Sequence, residues 1–110
     1  MSGSDSGGFS GLAAGGSAAG PCESLRLDRT LEAPVPGVAD ALAVGDLLEV
    51  VLRDEQQPSL VVAVNQAGLD TGGIVPTRQL LDCLQQGFRF EAEVTSRNGG
   101  AIRIEVRAAS

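Results

Sequence analysis

Two runs near the end of the chain alternate with a period of two. Phe88, Phe90, Ala92 and Val94 are interleaved with Arg89, Glu91 and Glu93, and Ile102, Ile104 and Val106 with Arg103, Glu105 and Arg107. Successive side chains of a strand point to opposite faces, so these runs read as an antiparallel hairpin with one buried and one solvated face. Parity then constrains the turn. If both even-numbered rows face the core, paired positions must sum to an even number, which a three-residue loop at Asn98, Gly99 and Gly100 satisfies by setting 97 opposite 101. A two-residue loop gives odd sums. The expected connection is a type I turn with a G1 bulge and Gly100 in the left-handed conformation.

Shorter segments precede the hairpin. Leu25, Leu27 and Leu31 suit a half-buried strand over 23–32, which Pro34 and Pro36 end. Residues 37–44 can form one helical turn. The β-branched runs 47–53 and 59–65 read as an antiparallel pair whose loop is too long for a tight hairpin. Ile74 and Val75 make a short strand stopped by Pro76. Thr77 is a suitable N-cap for a helix with Leu80, Leu81, Cys83 and Leu84 at helical spacing, and Gly87 stands where a left-handed residue ends helices. Sequential antiparallel strands with one short α-helix and a C-terminal hairpin predict a mainly β fold: a small, partly open antiparallel β-barrel, OB-like or SH3-like, the strand order left open.

Of residues 1–20, seven are Gly, five Ser and four Ala. Such a stretch buries too little apolar surface to offset the entropy of ordering its backbone. Residues 1–21 are therefore expected to be a disordered tail, and 22–110 one small domain. The tail lacks the basic start and apolar run of a secretory signal, and no segment reaches the length of a membrane span. A cytoplasmic protein with no membrane partner is expected. Cys22 and Cys83 have no CxxC spacing and no His nearby, and they read as buried thiols. A disulfide between them would require close approach and an oxidising compartment.

Side chains that carry chemistry are scarce. The chain has no His, Lys, Tyr or Trp, two Cys and one Met. General bases, activated nucleophiles and mixed His/Cys metal sites are mostly drawn from the missing types. The carboxylates Asp40, Asp46, Asp54, Glu55 and Asp70 fall in separate loops and form no EF-hand pattern. No catalytic residue, metal or cofactor is expected.

The remaining candidates are arginines. Arg89, Arg97, Arg103 and Arg107 lie on the outward row of the hairpin among Glu91, Glu93 and Glu105. Their planar forks suit phosphate, while cross-strand pairing on a solvated face is the plainer reading: Arg107 falls opposite Glu91, and Glu93 opposite Glu105. Fourteen acids against eight bases give a net charge of −6, which disfavours nonspecific nucleic-acid binding. Arginine used to the exclusion of lysine, with abundant Ala, Gly and Val, points to a GC-rich bacterial genome.

Within residues 42–94, Gly45-Asp46-Leu47-Leu48, Val61-Val62-Ala63-Val64, Gly72-Gly73-Ile74-Val75-Pro76, a Leu-rich helix and a closing strand follow one another in an order that resembles the HIRAN domain. The resemblance implies an OB-like barrel and binding of single-stranded DNA ends, with Arg53 and Gln57 lining the pocket. The family's Asn-Pro-x-Asp-x-Asn stretch is replaced here by 54–60, and Gly73-Ile74 stands where Gly-Tyr is common. Two functions are thus expected in competition. The first is a non-enzymatic module that binds a protein partner, with an open barrel edge able to accept a strand. The second is a HIRAN-like binder of nucleic-acid ends that uses Arg53, Gln57, Arg89, Arg103 and Arg107.

Overall fold

The computed structural model describes residues 21–55 and 58–109, so the expected tail, apart from Pro21, lies outside the described residues. Six antiparallel strands form one curled sheet: β1 (Arg26–Thr30), β2 (Leu47–Arg53), β3 (Leu60–Val64), β4 (Asp70–Ile74), β5 (Phe90–Asn98) and β6 (Ala101–Ala108). Their order is β1-β6-β5-β2-β3-β4. Among the described residues two helices accompany the sheet, the four-residue α1 (Pro21–Ser24) and α2 (Arg78–Gln85), and Ala39–Ala41 make a 3₁₀ turn. The mainly β half-barrel expected from the sequence is observed. The short α1 is an addition to it.

The hairpin supplies the centre of the core. Phe90, Ala92 and Val94 pair with Ala108, Val106 and Ile104, and on the other side of β5, Phe90 and Ala92 meet Val50 and Leu48. Apart from Ala108, which is half-buried, all these side chains are buried. The even parity is real, but the chain sets it differently. Asn98 pairs with Ala101, leaving a two-residue turn at Gly99 and Gly100, and the register shifts between Val94 and Ser96. The extra residue is Thr95. A bulge inside the ladder restores the parity that the turn was expected to supply. Gly99, not Gly100, takes the positive φ of 62°, the pattern of a type II′ turn, whose twist matches that of the flanking strands.

α2 begins and ends as its sequence dictates. The Thr77 hydroxyl accepts from Leu80 N at 3.1 Å. At the other end Gly87 N donates to Leu84 O and Phe88 N to Cys83 O, the two bonds of a Schellman closure around Gly87 at φ 96°. This closure explains a second departure. Phe88 was expected in the core by its alternation, yet it is 40% exposed, because its N–H is committed to the helix end and the strand starts two residues later.

Cys22 and Cys83 form a disulfide with Cα atoms 5.6 Å apart, which overturns the reading as separate buried thiols. The bond joins α1 to α2. Spacing could not reveal it, because 61 residues separate the pair and only the curl of the sheet brings them together.

The curl closes at one step of chain. Leu31 N donates to Ile102 O on β6, and the next residue, Glu32, exchanges both backbone bonds with Gly73 on β4, at 2.8 and 2.7 Å. Leu31 turns inward over Gly72. A Cβ built on Gly72 would lie 2.6 Å from Leu31 Cγ, so the seam demands glycine there.

Candidate functional site

The arginines expected to form a ligand surface are dispersed. Arg53 closes the end of β2 with an ion pair to Asp70 at 2.8 Å. Arg89 is exposed just before β5, beside a shallow hollow lined also by Glu49 and Glu91. Arg103 lies at the other end of the hairpin, where its Nη1 donates to the Thr30 hydroxyl at 3.3 Å. Ala108, the partner of Phe90, lies five positions beyond Arg103 on β6, so Arg89 and Arg103 are on the order of 17 Å apart along the strand. Gln57 lies outside the described residues.

Arg107 is fully engaged. Its Nε donates to Glu91 at 3.0 Å and its Nη1 to Glu93 at 2.8 Å and Glu105 at 3.2 Å. The bonds it donates to Glu93 and Glu91 hold the guanidinium pKa above its ordinary value. Glu105 also meets Arg26 at 3.5 Å. The register set Glu93 opposite Glu105, and Arg107 relieves that like-charge pair by reaching Glu93 diagonally across the ladder and Glu105 along its own strand. Arg97, expected on the outward row, instead donates through Nη1 to Asp40 O at 3.0 Å and to Leu42 O, tying the 3₁₀ segment to the hairpin. The described arginines of the set are therefore spread over the sheet, and Arg53, Arg97, Arg103 and Arg107 are engaged with neighbouring groups.

A different feature gathers side chains into a shaped surface. On the outer face of β3 and β4 a groove of about 540 Å³ runs beneath the segment after β1, with Leu60, Val62, Gly73 and Val75 along it and Ala33 and Val35 at its lip. The other hollows measure about 360, 260 and 220 Å³. Leu60 is 45% and Val75 54% exposed. The lip is held rigidly: Glu32 is bonded to Gly73, Val35 N donates to Thr71 O at 2.9 Å, Pro34 and Pro36 stiffen the chain, and Ala33 adopts φ 46°. Among the described residues two charged side chains line the groove, Glu32 and Asp70, and both are acidic.

Sequence reasoning passed over this groove, although a signal was present. Residues 60–64, LVVAV, carry no polar residue on either row. A strand that is apolar on both faces either sits between two layers or leaves an apolar outer face. Here the described residues leave the Leu60 and Val62 part of the outer face uncovered.

Compared with protein-family models, curated proteins and solved structures, the chain matches none.

Proposed function

We propose that this domain is a non-enzymatic interaction module that takes a segment of a protein partner in the groove between β3, β4 and the 32–36 lip. The observation that carries the reading is the groove itself: larger than the other three hollows described above, mostly apolar, prearranged by backbone bonds, and charged among the described residues only at Glu32 and Asp70. Apolar surface of this kind gains free energy when covered, and a preformed lip reduces the ordering cost of binding. Charge complementarity selects the occupant. A segment with apolar side chains flanked by Lys or Arg satisfies Glu32 and is steered by a net charge of −6. The scarcity of catalytic side-chain types supports the non-enzymatic part of the reading.

The Cys22–Cys83 bond bears on where the module works. Disulfides persist in oxidising compartments, so the bond favours such a compartment over the cytoplasm expected from the sequence. Alkylation of the protein in acid-quenched cells, followed by intact-mass measurement, separates the two: an unmodified pair places it under oxidising conditions, and double alkylation places it in the cytoplasm.

The function is tested by ¹⁵N HSQC titration with Lys-flanked apolar peptides and, in parallel, with a short single-stranded oligonucleotide carrying a free 3′ end. Shifts confined to Leu60, Val62, Gly73 and Val75 with peptide support the module. Salt-sensitive shifts at Arg53, Arg89 and Arg103 with the oligonucleotide, and none with peptide, would replace it with the HIRAN-like end-binding reading.

A further inference from the structure

The two adjacent glycines of β4 differ in what the fold asks of them. Gly72 faces inward, and an added Cβ would lie 2.6 Å from Leu31 Cγ and 2.9 Å from Glu32 O, too close to be accommodated. Gly73 faces outward, level with Val62 on β3. The atoms nearest to an added Cβ would be Glu32 Cβ at 3.7 Å, Glu32 O at 3.7 Å and Val61 O at 3.8 Å, all ordinary contacts. Its φ is not positive, so no backbone conformation there requires glycine. Glycine within a strand gives up packing and costs backbone entropy, and β-branched residues are favoured at such positions. The fold has a use for Gly72 and none for Gly73.

What Gly73 does provide is space. It leaves the groove floor bare at the point where Leu60, Val62 and Val75 surround it and the 32–35 lip overhangs. Glycine inside a strand is also a place where a ligand can approach the backbone closely. We propose that Gly73 is the socket of the groove, which accepts one aliphatic anchor side chain, of about the size of Leu, from the bound segment. The proposal rests on the groove reading above and adds the anchor position and its chemistry. Glu32, whose backbone is bonded to Gly73 on both sides, places a carboxylate beside the socket, so the anchor is adjoined by a basic residue.

The test uses the full-length protein and capped seven-residue peptides with Lys flanks and a single central position stepped through Ala, Val and Leu. Affinity is read from HSQC shifts of the Gly73, Val62 and Val75 amides, for the wild type and for Gly73→Ala and Gly73→Val. The wild type is expected to bind the Leu peptide about tenfold or more tightly than the Ala peptide, from the apolar surface the anchor buries. In Gly73→Val that dependence collapses, with Gly73→Ala between, while the melting temperature of both variants holds or rises. A dependence on the central residue that survives in Gly73→Val would overturn the socket and leave the groove reading standing. Absence of binding by every peptide would remove the groove reading and the socket with it.

Discussion

Arg29 lies on the inner row of β1, level with the buried Ile104, yet its Nε donates to the carbonyl oxygen of Val75, at the opposite edge of the same sheet, over 2.7 Å. Its Nη1 takes Asp28 O on its own strand at 2.9 Å. The guanidinium thus stands where the backbone ladder between β1 and β4 gives out below the Glu32–Gly73 bridge. An inward charge at a strand edge is one way to keep the edge from pairing with another chain. At this seam the stopper is the Arg29 side chain, bonded to the Val75 carbonyl.

Replacing Arg29 with Val removes both bonds and leaves the carbonyl groups of two edges to water or to a second chain. With each neutral acceptor worth about 1 kcal/mol, a loss of about 1–2 kcal/mol is expected. For a domain of this size that lowers the melting temperature by several degrees, and light scattering after size exclusion should show concentration-dependent association. A variant that melts as the wild type and stays monomeric would show that the seam needs no stopper.

Arg107 invites a test by salt. Its three carboxylate partners, Glu91, Glu93 and Glu105, have Glu49 beside them across β2, so Arg107→Ala leaves four like charges on one face. The variant should melt lower than wild type at low ionic strength and recover part of the difference at high salt, where exposed charges are screened. The raised pKa works in a definite direction. A base whose folded pKa lies above its unfolded value contributes stability that is whole below the unfolded value and is lost only as pH rises through the folded one. Protonation of Arg107 therefore contributes no pH dependence anywhere in the range where the protein is handled, and the salt dependence is the measurement that reads the network.

Features that depend on neighbouring residues were legible in the sequence, and features that depend on closure were not. Thr77, Gly87 and the inward rows of β5 and β6 are local matters of capping and alternation. The Thr95 bulge shows the limit of parity, which constrains the sum of paired positions without saying where along the ladder the extra residue enters. Phe88 shows the limit of periodicity, because a helix cap that uses its N–H overrides the alternation it continues. The arginine set was legible as residues and illegible as a surface: Arg97 turns to the Asp40 and Leu42 carbonyls only because a distant loop folds beneath it. The groove exists only because Glu32 and Gly73, 41 positions apart, are brought together by the curl of six strands.

The disulfide should be worth measuring against the sheet. Closing 61 residues restricts the unfolded chain by about 4 kcal/mol on the chain-entropy account. α1 is only four residues long and cannot hold itself as a helix, whereas α2 has its own cap and the fully buried Leu80. Reduction, or Cys22→Ser with Cys83→Ser, should therefore lower the melting temperature markedly while the amides of β2, β5 and β6 keep their chemical shifts and those of 21–25 lose theirs. Collapse of the whole spectrum on reduction would mean that the bond is a condition of folding.

The last prediction turns on the neighbour of the proposed socket. Gly72 is pressed under Leu31 at the one step where β6 and β4 are bridged, with Glu32 O a further 2.9 Å from where a Cβ would stand. Side chain and backbone would both have to move, and the backbone atom belongs to the bond that closes the curl. Gly72→Ala is expected to cost about 1–3 kcal/mol, the range for overpacking a filled core, and to lower the melting temperature accordingly. Gly73→Ala, one residue along, should hold or raise it. Truncating Leu31 ought to make the change cheaper: measured against Leu31→Ala alone, adding Gly72→Ala should cost less than it does in the wild type, because Leu31 Cγ is gone while the clash with Glu32 O remains. If Gly72→Ala and Gly73→Ala melt alike, the distinction between a glycine the seam requires and a glycine the groove leaves bare is wrong. The reading of Gly73 as a socket then loses the contrast on which it was built.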